Sequence, residues 1–125
     1  MGTFRKFEDI KAWQKARRLA SKIYSFTGSL RFAQDFGLRN QIQRASVSVM
    51  ANIAEGYGGH SDKEFANFLS MAHASVSEVQ SHLYVALDLS YISAEAFEEL
   101  YDLLEEIGRM TFVLAAHLRK GTKSG

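Results

Sequence analysis

The 125-residue chain contains no cysteine and no proline. Without cysteine it has no disulfide, no thiolate nucleophile and no cysteine-ligated zinc. Without proline, nothing forces a helix to kink or stop, so long unbroken helices are permitted. No apolar run approaches the roughly 20 residues that a membrane-spanning helix needs. The start, Met1-Gly2-Thr3 ahead of Phe4-Arg5-Lys6, carries no apolar leader, which predicts a cytoplasmic location and no membrane contact. Enzyme signatures are missing as well. There is no Gly-Lys-Ser/Thr phosphate loop, and none of His60, His73, His82 and His117 completes the Glu-x-x-His of di-metal bundles. Glu78 and His82 lie one turn apart, but no second pair mirrors them. The glycines at 56, 58 and 59 read as a tight interhelix turn. No catalytic, cofactor-binding or metal-binding residues are expected.

What is present is helical periodicity over one domain, residues 1–125. Apolar residues recur at spacings of three and four in four segments, about residues 8–27, 36–57, 62–89 and 94–120. The first segment has Ile10, Trp13, Ala16, Ala20, Ile23 and Tyr24 on its core face, with Gly28 as a left-handed cap. Asp35 is placed to cap the second, Ser61 with Glu64 forms a capping box for the third, and Ser93 caps the fourth. Lys120 and Gly121 suit the end of the fourth. Short loops make neighbouring helices antiparallel. A turn centred near His60 then pairs Ile53 with Phe68, Val49 with Ala72, Ala45 with Val76 and Ile42 with Val79, all apolar. The predicted fold is all-α, an antiparallel up-down four-helix bundle.

Charge is divided along the chain. Residues 5–44 hold ten basic side chains against three acidic ones, and the rest holds five against eleven. Lys11, Lys15, Arg18 and Lys22 follow at spacings of four, three and four, with Arg17 beside them, making one basic stripe. Such a stripe is a candidate nucleic-acid surface; the alternatives are a plain solvated face or pairing with the acidic start of the fourth helix in a neighbouring subunit. The second helix carries a polar stripe of Gln41, Arg44, Ser48, Asn52 and Glu55, and the predicted register brings Arg44 near Glu78. These six residues are expected to form a buried polar network that fixes helix register. Residues 110–116 are uncharged around the whole helix, more than a bundle core covers. Met110, Phe112 and Val113, with Tyr84, Val85 and Leu87, are therefore candidates for an oligomer interface.

The run 41–48, Gln-Ile-Gln-Arg-Ala-Ser-Val-Ser, and the block 52–56, Asn-Ile-Ala-Glu-Gly, with Ser61, residues 65–69, Ser75 and Glu78, resemble the four-helix bundle protein family, also called the 23S rRNA intervening sequence protein family. The opening at 7–16, Phe-Glu-Asp-Ile-Lys-Ala-Trp-Gln-Lys-Ala, resembles the family's start. The family is similar in fold to the accessory variability protein of diversity-generating retroelements. That resemblance implies a barrel-like homopentamer that binds structured RNA, DNA or a reverse transcriptase. It implies no enzymatic activity. Family members often have proline two residues before the asparagine, where this chain has Met50, so its second helix should lack a kink there. The expected function is a non-enzymatic oligomeric bundle that contacts nucleic acid through basic faces; the alternative is a structural or protein-binding scaffold.

Overall fold

The computed structural model describes residues 4–59 and 61–124, without the side chains of Leu30 and residues 122–124. Met1, Gly2, Thr3, His60 and Gly125 lie outside the described residues. Four long helices are present, α1 (Lys11–Thr27), α3 (Phe36–Tyr57), α4 (Asp62–Asp88) and α5 (Ala94–Ser124), with a short α2 (Leu30–Gln34) between the first two. No strand occurs among the described residues. Each long helix packs on two others, α1 and α4 both lying against α3 and α5. Leu19, Ile23, Ile42, Val49, Leu69, Val79, Leu104 and Ile107 fill the shared core. The Ser48–Ser75 hydrogen bond, with the close approach of Gly56 to Phe65 and Phe68, shows α3 and α4 antiparallel, in the register that the apolar pattern predicts to within a turn.

The helix starts follow local chemistry. Asp35, Ser61 and Ser93 each accept the backbone N–H three residues on, from Leu38, Glu64 and Ala96 at 3.1 Å. Each bond satisfies one of the amides that a first turn leaves unpaired. Asp35 does more than cap. Its second carboxylate oxygen accepts from the Tyr91 hydroxyl at 3.0 Å, tying the α4–α5 turn to the start of α3. That hydrogen bond raises the Tyr91 pKa, because losing the proton would place a second charge beside the carboxylate.

Several expectations change. The first helix starts at Lys11 and not at residue 8, because Ile10 is extended and turns its side chain into the core, leaving a 3₁₀ turn at Phe7–Asp9. Gly28 is not left-handed, with φ −83°, and the chain goes on into α2, which delivers Phe32 to the core. Among the described residues the left-handed position is Ser90, φ 59°, in the α4–α5 turn, where Tyr91 N–H reaches back to the Ala86 carbonyl at 2.8 Å. Tyr24 is exposed and Leu19 is buried in its place. Gly121 does not end α5, which runs through Ser124.

Candidate interaction surfaces

The basic stripe of α1 sits over the acidic flank of α5. Lys15 Nζ lies 2.6 Å from Glu106 and Lys22 Nζ lies 2.6 Å from Glu99, so the two helices run antiparallel. The predicted four-residue stripe is therefore not a free surface, because two of its members lock α1 onto α5 within one subunit. Lys11, Arg17 and Arg18 remain exposed, with Arg17 lying 5.9 Å over the Trp13 ring.

The hydrogen bonds from Lys22 and Lys15 hold the Glu99 and Glu106 carboxyls below their ordinary value of 4.5. A carboxyl whose pKa is lower in the folded chain than in the unfolded one contributes stability that is complete above the unfolded value and fades as pH falls through the folded value. Both carboxylates are substantially exposed, so salt screens the contribution. A Lys15→Gln, Lys22→Gln variant should melt below the wild type at neutral pH and low salt. The gap should close as pH drops below about 4.5 and as salt is raised. A gap constant from pH 7 to pH 3 would remove these pairs as its source.

On α3 the polar stripe splits. Ser48 hydrogen-bonds Ser75 at 3.0 Å, and the Asn52 amide donates to the Ser48 carbonyl at 2.9 Å and to its hydroxyl at 3.0 Å. These three half-buried side chains make the polar contact between α3 and α4, and Ser75 is a member that the α3 stripe alone does not reveal. Gln41, Arg44 and Glu55 point to solvent. The expected buried Arg44–Glu78 pair does not form. Both side chains flank a groove with Gln41, Ala45 and Ser48, but they make no ion pair within 4.0 Å, and Glu78 is 55 % exposed. Ala45, Val76 and Val79 occupy the seam itself, which leaves the two long side chains outside it in water. Glu78 approaches His82 Nε2 at 3.4 Å, without hydrogen-bond alignment, so the contact is an ion pair only when the ring is protonated.

The outer face of α4 and α5 carries exposed apolar side chains at its two ends. Phe112 and Val113 are each 64 % exposed, and Tyr84 and Val85 are exposed farther along the same two helices. Leu87 and Met110 are half-buried. Tyr84, Phe97 and Tyr101 form one aromatic cluster with centroids 4.9 to 5.8 Å apart, and His73 meets Phe112 at 6.1 Å. Between the two ends runs a polar cleft of about 420 Å³ past Ser77, Gln80, Glu105 and Arg109, where the Gln80 amide donates to Glu105 at 2.8 Å. Among the described residues no group of three His, Asp or Glu side chains is placed to hold a metal. No described helix is long and apolar enough to cross a membrane.

The sequence profile described as 23S rRNA-intervening sequence protein matches residues 8–112. The chain belongs to that family. A crystal structure from Bacteroides thetaiotaomicron, described as a protein of unknown function from the S23 ribosomal protein family, is similar to it with a TM-score of 0.76 and 25% identity. The match covers 83% of this chain and 97% of that one. No curated protein matches. The family profile spans α1 through most of α5, so it includes both lysine–glutamate locks, the Ser48–Asn52–Ser75 contact and the outer face of α4 and α5 as far as Phe112.

Proposed function

We propose that this family member is a non-enzymatic bundle that works as a homo-oligomer, its copies meeting through the outer face of α4 and α5. One observation carries the reading. Phe112, Val113, Tyr84 and Val85 stand exposed on one pair of helices, outside a core that is already complete. Scattered apolar residues are ordinary on a protein surface, but large apolar side chains exposed at both ends of one helix pair, with Gln80, Glu105 and Arg109 between them, mark an interaction site. A closed ring covers such side chains on every copy, and the barrel-like pentamer implied by the family resemblance is the assembly we favour. The absence of a nucleophile–base set in the sequence supports a non-catalytic role, and a cysteine-free chain suits the cytoplasm. Light scattering at micromolar concentration should give a mass several times that of one chain. Phe112→Glu should shift it to the monomer with helicity retained. A wild-type monomer ends the proposal.

Nucleic acid is the second reading, because Lys11, Arg17 and Arg18 stay exposed on α1 and the family is described by an rRNA-intervening sequence. Copies in a ring would sum weak contacts through avidity. Affinity for labelled RNA or DNA should fall with salt by about 0.7 logarithmic units per decade for each phosphate contact. An Arg17→Glu, Arg18→Glu variant that binds as well as the wild type at low salt would leave the scaffold role, with a reverse transcriptase or another protein as partner.

A further inference from the structure

α5 is longer than the helix it is locked to. It has 31 residues against 17 in α1. The pairs Lys15–Glu106 and Lys22–Glu99 fix the register, which puts the first residue of α1 opposite the region of Met110. Past that point α5 continues to Ser124, about four turns, with no described helix against it on the α1 side. Of the described residues before α1, Phe4 and Ile10 reach the edge of this gap without filling it. That segment turns at Phe7–Asp9 and is tied toward α3 by the Tyr57 hydroxyl, which donates to the Phe4 carbonyl at 2.7 Å. Among the described residues one flank of α5 is left open, and a cleft of about 720 Å³ lies along it.

The cleft has an apolar floor and a cationic rim. Ile10 is buried at its base, and Met110, Val113 and Leu114 line the α5 side. Lys11, Arg109 and His117 stand exposed at its edge. Among the described residues no Asp or Glu lines it. Glu106, whose carboxyl is held low chiefly by the Lys15 hydrogen bond and in part by Arg109, is already engaged by Lys15 at 2.6 Å. Lys11, Arg109 and His117 make no hydrogen bond or ion pair among the described residues. The volume falls within the range of small-molecule sites, about 300–1,000 Å³.

We infer that this cleft binds a medium-chain fatty acid, its carboxylate held between Lys11 and Arg109 and its alkyl chain laid along Met110, Val113 and Leu114. A guanidinium and an ammonium on one rim match a single carboxylate head. The floor rewards a hydrocarbon body, and each methylene withdrawn from water adds about fourfold in affinity. The site goes beyond the self-association reading; Arg109 and Val113 border both this cleft and the α4–α5 face that carries Phe112.

Titration calorimetry of the intact chain with octanoate, decanoate, dodecanoate and dodecanol, each below its aggregation concentration, tests this. Affinity should rise with chain length, and dodecanoate should bind at least about tenfold more tightly than dodecanol, the ordinary effect of one charge-assisted contact. Lys11→Gln, Arg109→Gln removes two exposed groups and should leave circular dichroism unchanged. It should weaken dodecanoate about tenfold or more and leave dodecanol as it was. Three results overturn the inference: no dodecanoate binding at millimolar concentration, equal affinity for acid and alcohol, or a double variant that binds dodecanoate like the wild type.

Discussion

Gly56→Ala should destabilise the bundle by about 1–3 kcal/mol, although alanine is the better helix former. Gly56 is buried in the last turns of α3, where that helix lies closest to α4. A Cβ placed there stands 2.5 Å from the Phe68 Cβ, 3.2 Å from a Phe65 ring carbon and 3.3 Å from the Phe65 carbonyl oxygen. The nearest of these is fixed to its backbone and cannot rotate away, so the helices must separate. The gain in helix propensity is about 1 kcal/mol and is outweighed by that overpacking. Gly58 is the control. A Cβ there meets nothing closer than 3.6 Å, and its φ of −76° suits any residue. Gly58→Ala should be neutral or stabilise by about 0.4–1 kcal/mol. The check is a pair of urea melts. Equal midpoints for the two variants would show that α3 and α4 are not in contact at Gly56.

Leu104→Ala should cost more, about 2–5 kcal/mol. Leu104 is 0 % exposed in the middle of α5, where the core cannot collapse around a lost side chain. Val113→Ala, nine residues on and 64 % exposed, should fall within about 0.5 kcal/mol of wild type in the isolated chain. The pair also reports on assembly. If Val113 is covered by another copy, its variant should lower the thermal midpoint, and the loss should grow on dilution, because dissociation then precedes unfolding. Leu104→Ala should lower the midpoint at every concentration. A Leu104→Ala midpoint within a degree of wild type would place that side of α5 outside the core.

Helix α3 covers Phe36–Tyr57 and α4 starts at Asp62, the residues that the sequence marks. Those limits are legible because their causes are local. Asp35, Ser61 and Ser93 reach donors three residues away, and no other part of the chain is needed to place them. The apolar spacing likewise names most of the core and the antiparallel partners, since each stripe has only one complementary stripe to cover it. Ser90 shows the limit of this reading. It takes the left-handed position where glycine would have announced the turn, and its conformation is held by the return of Tyr91 N–H to the Ala86 carbonyl.

The surfaces were a different matter. Lys11, Lys15, Arg18 and Lys22 do lie on one face of α1, as their spacing requires, but spacing says nothing of what that face meets. The rotation of α1 in the packed bundle turns Lys15 and Lys22 toward Glu106 and Glu99 and leaves Lys11 and Arg18 outside. Arg44 and Glu78 fail to pair for the same reason. Each is correctly assigned to its own helix face, and the small residue Ala45 between them lets the backbones close while the long side chains diverge into water. Periodicity and capping are properties of a segment and were set by the order of residues alone. The pairing of charges, the need for glycine at 56 and the open flank of α5 depend on the distance and rotation between segments, which only close packing of all four helices determines.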